Sequence, residues 1–145
     1  GGGTTDYAVD MYTSAANGRD YTCFLEPDAC LPMMYMPDAI RATLSLMEAP
    51  AEALSVRDSY NVAAFSFSPQ DLAAALQRHV PNFACTYASD ERQQIADAWP
   101  ASIDDTAART DWNWTPTYDL DAMTEDMLDH LQEDERLRED ERVRG

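Results

Sequence analysis

The first residues suited to bind a ligand form a glycine-rich turn, Gly3-Thr4-Thr5-Asp6, which precedes an apolar stripe of helical spacing. A helix N-terminus offers unpaired backbone N–H groups and the positive end of the helix dipole, and both attract a carboxylate. The Thr4 and Thr5 hydroxyl groups add donors, and the Asp6 carboxylate suits an ammonium group. A simpler role suits the same residues, in which Thr4 and Asp6 only cap the helix.

A second candidate is Trp99, which precedes Pro100 at a predicted helix break. A Trp-Pro pair followed by small residues makes a rigid apolar wall that can exclude water from a reacting carbon. The alternative is a core aromatic residue packed beneath a loop. The segment Met33-Met34-Tyr35-Met36 leaves a similar choice open, between a pocket lining and ordinary core.

Other residue types limit the chemistry. The chain contains no Lys, so it supplies no Schiff-base Lys, no phosphate-loop Lys and no Tyr-x-x-x-Lys pair. Asp104 and Asp105 are adjacent and would not face each other on a helix, so we interpret them as first-turn acids. His79 and His130 are far apart, and the three Cys form no Cys-x-x-Cys motif. We therefore predict neither a catalytic residue nor a metal site within the chain.

Charge is the unusual feature of the composition. Asp and Glu number 27 against 10 basic residues, all of them Arg, and the formal net charge is −17. Such a chain repels phosphates and anionic lipids, so we expect neither nucleic acid nor a membrane as a partner. Adaptation to a salt-rich cytoplasm and a compositional bias with an acidic tail both remain open as explanations. The odd Cys count predicts reduced thiols in a cytoplasmic protein.

Alternating helix and strand signals predict an α/β fold. The predicted strands are short, which favours an accessory lobe over a central parallel sheet. We expect a lobe over residues 1–131 and a charged helical tail over residues 132–145. The strands are predicted near residues 21–25, 31–35, 59–63 and 83–87. The helices are predicted near residues 6–17, 37–48, 69–80, 89–98 and 102–112, and from 119 onward.

Apolar spacing indicates which side of three of these helices packs inward. A Ser68-Pro69 start, with an acid three residues after Ser68, strengthens the prediction for the helix at 69–80. The predicted faces are Ile40, Leu44 and Met47 in the first, Leu72, Ala75, Leu76 and His79 in the second, and Leu120, Met123, Met127 and Leu131 in the last.

Three segments together resemble a known family. They are Gly-Gly-Gly-Thr-Thr-Asp-Tyr-Ala-Val at residues 1–9, Leu-Pro-Met-Met-Tyr-Met-Pro-Asp-Ala-Ile-Arg-Ala at 31–42 and Ile-Ala-Asp-Ala-Trp-Pro-Ala-Ser-Ile-Asp-Asp at 95–105. They look like the threonine-dehydrogenase branch of the extended short-chain dehydrogenases, the NAD-dependent epimerase/dehydratase family. The resemblance extends to about Leu131. It implies the carboxy-terminal, substrate-binding lobe of a Rossmann-type enzyme whose nucleotide-binding core is missing here.

Enzymes of that branch oxidise the 3-hydroxyl of L-threonine with NAD, giving 2-amino-3-oxobutanoate. The resemblance implies this reaction for the parent of the chain, with Gly3, Thr4, Thr5, Asp6 and Trp99 as contacts for L-threonine. The family's Gly-rich fingerprint and Tyr-x-x-x-Lys pair have no counterpart in the chain. NAD is therefore expected to bind to a missing N-terminal part, and the isolated chain is expected to be inactive. A homodimer is a further expectation for the full-length enzyme.

Two alternatives stay open. One is a lobe of a sugar-nucleotide epimerase or dehydratase, although residues 31–37 contain no basic side chain to hold a pyrophosphate. The other is a non-catalytic acidic interaction module. In the enzyme interpretation, the helix face formed by Tyr7, Met11 and Ala15 is expected to meet the missing core and to be exposed in the chain alone.

Overall fold

The computed structural model describes Gly3 and residues 6–144, apart from several side chains near the end of the last helix. Helices and strands alternate along the chain, which confirms the predicted α/β class. The helices are α1 (Asp6–Ala16), α2 (Met36–Glu48), α3 (Pro69–His79), α4 (Arg92–Asp97), α5 (Thr106–Trp112) and α6 (Leu120–Arg144). The strands are β1 (Tyr21–Cys23), β2 (Leu31–Met33), β3 (Phe65–Phe67) and β4 (Cys85–Tyr87).

The four strands of the described residues form two separate two-stranded sheets. β1 pairs with β4 in parallel, with Tyr21 opposite Cys85. β2 pairs with β3 in antiparallel fashion, with Leu31 opposite Phe67. Sheets of this size are too small to be stable by themselves, so helix packing has to supply most of the core.

The main hydrophobic core lies where α1 packs against α3 and α6. Tyr7 and Met11 of α1 are completely buried, and Ala15 retains 2% of its surface. Leu72 and Leu76 of α3 belong to the same cluster. The expectation that this face of α1 is exposed in the chain alone is therefore wrong. The reason is that the apolar faces of α3 and α6 close over it within the same chain.

Helix α3 follows its sequence signals closely. The Ser68 hydroxyl oxygen accepts the Asp71 amide at 3.4 Å, and the Asp71 carboxylate accepts the Ser68 amide at 2.9 Å, which completes a capping box. Leu72 and Leu76 are buried, as the spacing predicted. His79, predicted on the same face, is exposed instead, because it lies in the last turn, where the helix leaves the core.

Helix α2 packs with the face opposite to the predicted one. Ile40, Leu44 and Met47, which were expected to be buried, are each more than half exposed. Asp38 and Ala42 on the other side of the helix are buried. The apolar spacing of this helix is real, but it does not mark the side that meets the rest of the described chain.

Hydrogen bonds to Asp38 fix this orientation of α2. Its carboxylate accepts the amide of Thr117 at 2.9 Å, the amide of Tyr118 at 3.0 Å and the side chain of Arg41 at 2.9 Å. The Arg41 guanidinium also lies over the Trp114 ring, 4.6 Å from its centroid. A carboxylate at a buried position needs such partners, so the side that carries them has to face inward.

Residues 59–64 form irregular backbone where the sequence predicted a strand, and β3 begins only at Phe65. The Trp114 indole N–H donates to the Ala63 carbonyl oxygen at 2.7 Å. The Tyr60 hydroxyl donates to the Asp111 carboxylate at 2.6 Å. Tertiary contacts therefore hold this segment in place of a strand ladder, and the prediction is wrong because short apolar runs do not specify a partner strand.

Helix α6 runs for 25 residues without interruption, a length of about 37 Å. Its first turns pack on the core, where Met123 and Leu128 are buried and Leu131 is partly buried. Past Leu131, the side chains that the structure describes are exposed. Over the described part of the chain, no helix combines the length and the apolar character needed to cross a membrane.

Candidate functional site

The glycine-rich turn is closed by two hydrogen bonds between Gly3 and Asp6. The Gly3 amide donates to Asp6 Oδ2 at 2.8 Å, and the Asp6 amide donates to the Gly3 carbonyl oxygen at 3.1 Å. A Cβ atom at position 3 would lie 3.1 Å from Asp6 Oδ1, so a larger residue would press on the carboxylate. Asp6 therefore has at least the capping role that the sequence suggested. Thr4 and Thr5 lie outside the described residues.

An apolar groove lies between α1, β2 and α6, and Asp6 is at its edge. We call it the methionine groove. Its volume is about 310 Å³, and its apolar lining includes Val9, Met33, Met36, Met123 and Met127. Thioether side chains adapt to the surface that they meet, so such a groove suits apolar side chains better than a polar ligand. The methionine-rich segment at 33–36 is thus partly a lining, which was one of its two predicted roles.

Two tyrosines beside the groove have engaged hydroxyl groups. Tyr12 Oη lies 2.9 Å from Thr124 Oγ1, and the Tyr35 hydroxyl donates to Asp126 Oδ2 at 2.6 Å. Burial raises the pKa of Tyr12 to about 12. Burial, and next the bond to Asp126, also raise the pKa of Tyr35 well above its usual range. Neither phenol is therefore suited to accept a proton as a general base near neutral pH.

Trp99 lines a second and larger cavity, at the end of α4, which we call the acidic cavity. It has a volume of about 500 Å³. Its polar lining comprises Glu26, Asp28, Cys30, Gln93 and Asp97. Trp99 is 46% exposed, so it is not the core aromatic of the alternative interpretation. Three carboxylates and no Arg line the cavity, which favours an ammonium group over an anion.

The three carboxylates of the acidic cavity are not among the site residues predicted from the sequence. Glu26 and Asp28 follow β1, and Asp97 ends α4 just before Trp99. The Glu26 amide donates to the Gln93 side chain at 2.8 Å across a separation of 67 residues, and this bond joins the loop to α4. The acids at the end of β1 are a visible signal, but the sequence does not show which later element they meet.

Strand β2 has one cavity at each of its ends. Its first residue, Leu31, lines the acidic cavity, and its last, Met33, lines the methionine groove. Asp6 belongs to the groove and Trp99 to the acidic cavity, and neither space is lined by both. Of the three predicted substrate contacts that the structure describes, Gly3, Asp6 and Trp99, the last two therefore line different cavities.

Other reactive groups have structural partners. Asp104 Oδ1 accepts the Thr106 amide at 3.0 Å, and Asp105 pairs with Arg109 at 2.7 Å. Both acids precede α5 and do not form its first turn as predicted. Burial raises the pKa of the Cys23 thiol to about 11, which leaves it protonated near neutral pH. Within the residues that the structure describes, no three or more His, Cys, Asp or Glu side chains are placed to hold a metal ion.

Comparison with known proteins identifies relatives of the chain, although no family model matches it. It is 50% identical over 129 residues to the mitochondrial L-threonine 3-dehydrogenase of Bos taurus, a match covering 88% of this chain and 34% of the relative. It is 47% identical over 137 residues to an uncharacterized epimerase/dehydratase of Staphylococcus haemolyticus, covering 94% and 43%. The solved GalE-like L-threonine dehydrogenase from Cupriavidus necator is 59% identical, with a TM-score of 0.88 over 90% of this chain and 47% of that chain.

The chain is a homologue of the GalE-like L-threonine dehydrogenases. This confirms the family resemblance and the fold that the three sequence segments implied. The chain spans less than half the length of each of the relatives named above. A likeness to the ADP-L-glycero-D-manno-heptose-6-epimerase of Helicobacter pylori, at 21% identity and a TM-score of 0.63, shows the shared fold alone.

The described residues do not fit the NAD that a resemblance to L-threonine dehydrogenases implies. β2, β3 and β4 each lead into a helix, through residues 34–35, Ser68 and residues 88–91. None of these connections contains Gly, which lets a dinucleotide pyrophosphate approach the backbone. The Ser68 amide is also already bonded to Asp71. These three connections therefore do not form the glycine-rich turn of a dinucleotide site.

Proposed function

We propose that this chain is the substrate-side part of an NAD-dependent L-threonine 3-dehydrogenase, which oxidises L-threonine to 2-amino-3-oxobutanoate. The observation that supports it most directly is the likeness to the Cupriavidus necator L-threonine dehydrogenase, at 59% identity and a TM-score of 0.88. In this proposal NAD binds to a part of the enzyme that corresponds to the unmatched residues of the relatives. The 145-residue chain alone is inactive.

The acidic cavity supports an amino-acid substrate over the nucleotide sugar of the alternative hypothesis. A nucleotide sugar carries a pyrophosphate, which basic side chains bind and carboxylates repel. Glu26, Asp28 and Asp97 line the cavity, and no Arg does. A zwitterionic amino acid carries no net charge and would not be repelled in this way.

The proposed substrate contacts are the turn Gly3-Thr4-Thr5-Asp6 and Trp99. The amides and hydroxyls of the turn bind the substrate carboxylate, while Asp6 holds the turn through Gly3 and attracts the ammonium group. Trp99 packs against the methyl group and excludes water. Because Asp6 and Trp99 line separate cavities in the described part of the chain, this proposal requires the remaining part of the enzyme to close the site around both.

The first experiment measures NADH formation from L-threonine by the full-length protein that contains this chain. We expect NADH from the full-length protein and none from the 145-residue chain alone. A uridine diphosphate sugar is offered to the same protein as the competing substrate. Conversion of the sugar without oxidation of threonine would overturn the proposal, and absence of both activities would favour the interaction module.

Replacement of Trp99 tests its contact with the substrate. We expect Trp99→Ala to raise the KM for L-threonine about tenfold, the usual effect of losing an apolar contact to a methyl group, and Trp99→Phe to keep most of the affinity. Tyr87→Ala is the matched control, because Tyr87 is a partly exposed aromatic that lines neither cavity. A KM that stays the same in Trp99→Ala would remove Trp99 from the site.

Location and assembly complete the proposal. Cys23, Cys30 and Cys85 are unpaired, as a reducing compartment favours, and we propose a cytoplasmic enzyme. Because the Bos taurus relative is mitochondrial, cell fractionation is the relevant test. We also propose that the full-length enzyme is a homodimer, which light scattering after size-exclusion chromatography would establish or refute.

A further inference from the structure

Gln93 joins two parts of the lining of the acidic cavity. Its side-chain oxygen accepts the Glu26 amide at 2.8 Å, and its side-chain nitrogen donates to Asp97 Oδ1 at 2.6 Å. The orientation of the Gln93 amide group is determined, because a backbone N–H can only donate and a carboxylate accepts. Glu26 lies in the loop after β1, and Asp97 ends α4 two residues before Trp99. We call these two hydrogen bonds the Gln93 bridge.

Helix α4 needs neighbouring segments to fix its orientation. It has six residues, and isolated helices of that length do not persist in water. Ala96 is buried in the main core, while the residues on either side of it are exposed, and an alanine side chain makes few contacts. The Arg92 guanidinium lies over the Phe24 ring and holds the first turn. The last turn is held through Asp97, by the Gln93 bridge.

The position of Trp99 follows from that of the last turn of α4. The Trp99 amide donates to the Ala96 carbonyl oxygen at 3.0 Å, which joins the backbone of Trp99 to the end of the helix. The Trp99 side chain is 46% exposed and lines the acidic cavity together with Gln93. A displacement of the last turn would therefore move the indole ring relative to the loop residues that line the same cavity.

The loop at the other end of the Gln93 bridge is itself fixed. The Ser89 hydroxyl donates to the Glu26 carboxylate, which joins the loop to the segment after β4. The Gln70 amide donates to the Pro27 carbonyl oxygen at 3.0 Å, which joins the loop to the start of α3. Because the loop is held from two sides, Gln93 connects α4 to a fixed point of the fold.

We propose that Gln93 is a positioning residue that sets the selectivity of the enzyme for the methyl group of L-threonine, an inference that rests on the proposed function. Gln93 acts through Trp99, whose indole ring packs against that methyl group in the proposed site. One such apolar contact contributes about tenfold or more to selectivity, provided that the ring is held against the substrate. L-Serine lacks the methyl group, so its binding does not depend on the Gln93 bridge.

The kinetic test replaces Gln93 by Met in the full-length protein, which removes both hydrogen bonds and keeps the length of the side chain. We expect the KM for L-threonine to rise about fivefold, while the inhibition constant of L-serine as a competitor changes less than about twofold. Gln94→Met is the matched control, since Gln94 is exposed on the same helix and lines neither cavity. An unchanged KM, or an equal rise in both constants, would overturn the proposal.

Combination with Trp99→Ala distinguishes positioning from a general loss of stability. Because Gln93 acts through Trp99, the double variant should have the same KM for L-threonine as Trp99→Ala alone. A residue that only stabilised the fold would instead add its own effect to that of Trp99→Ala. Two effects on KM that multiply in the double variant would therefore contradict the proposal.

A measurement without substrate keeps this inference separate from the proposed function. The full-length protein is labelled with 5-fluorotryptophan, and the fluorine NMR resonance of Trp99 is assigned from its loss in Trp99→Phe. We expect this resonance to shift in Gln93→Met and to stay in place in Gln94→Met. An unmoved resonance in an active L-threonine dehydrogenase would overturn this inference and retain the proposed function. Absence of L-threonine oxidation by the wild type would reject both.

Discussion

Asp38 anchors α2 to the segment before α6 through several hydrogen bonds. It is buried, and burial raises its pKa, but the bonds from the Tyr118 amide, the Arg41 side chain and the Thr117 amide outweigh burial and bring the pKa below its usual range. The charged form is therefore the stable one in the folded protein. One carboxylate thereby joins the start of α2 to the segment before α6.

Replacement of Asp38 by Asn should lower the free energy of unfolding by about 3 kcal/mol, because one partner of a buried charged network is lost. Urea denaturation measures this difference. Asp121→Asn is the matched control, since Asp121 pairs with Arg78 on the surface and is 67% exposed. We expect that control to change stability by about 0.5 kcal/mol at most. Equal losses in the two variants would contradict the role of Asp38.

The lowered pKa of Asp38 also predicts a dependence of stability on pH. Its stabilising contribution is complete above the pKa of an unfolded Asp, about 4, and is lost as the pH falls through the lower pKa of the folded state. Wild-type protein should therefore lose more stability than Asp38→Asn when the pH is lowered from about 5 to about 2. Parallel curves in that interval would show that Asp38 does not cause the loss.

Among the elements, α3 and α2 differ in what determines their packing. The capping box of α3 joins Ser68 to Asp71, three residues later, and its apolar spacing marks the buried face. The partners of Asp38 in α2 lie 79 and 80 residues away. A helix whose signals are local is predicted correctly from sequence, whereas a helix anchored over a long range is not.

The cap of α3 can be tested by Ser68→Ala. We expect a loss of about 1 kcal/mol in the free energy of unfolding, because the Asp71 amide loses its acceptor at the helix start. Ser102→Ala, at an exposed bend between helices, is the control and should have little effect. Thermal or urea unfolding of both variants measures the difference. If Ser68→Ala has the same free energy of unfolding as the wild type, the cap does not stabilise α3.

A deletion within the second half of α6 would test the proposed boundary between the lobe and the tail. Deletion of residues 132–145 should shift the melting temperature by about 4 °C or less, because the side chains described there are exposed. Leu128→Ala, in the buried part of the same helix, should instead cost about 2–5 kcal/mol. A large loss on deletion would show that the tail is part of the lobe.

The whole molecule is dominated by its net charge of −17, which self-repulsion makes costly to hold in a compact fold. Added salt shortens the distance over which these charges act, from about 10 Å at 0.1 M to about 3 Å at 1 M. Net charge affects stability and association, and it carries no information about the reaction.

Stability of the chain should therefore rise with sodium chloride concentration. We expect a higher melting temperature at about 1 M salt than at about 0.1 M, because screening relieves the repulsion. Replacing exposed Asp129, Glu133 and Asp134 by their amides should weaken this dependence. A melting temperature that does not rise would favour compositional bias over adaptation to salt.

The sequence by itself determined the features that depend on neighbouring residues. The α/β class, the cap at Ser68 and the stop after α1, where Gly18 has φ +63°, follow from local hydrogen bonding and backbone sterics. The family resemblance could also be read from three contiguous segments. Each of these signals is contained within a dozen residues, so no tertiary information is needed to recognise it.

Only the tertiary structure decided which surfaces meet. It covered Tyr7 with α3 and α6, turned Ile40 of α2 outward and gathered the carboxylates around Trp99. Periodicity shows that a helix has an apolar side, but not whether that side packs within the chain or stays exposed on its surface. That choice depends on the balance between apolar burial and buried hydrogen bonds, such as those of Asp38, which join residues far apart in sequence.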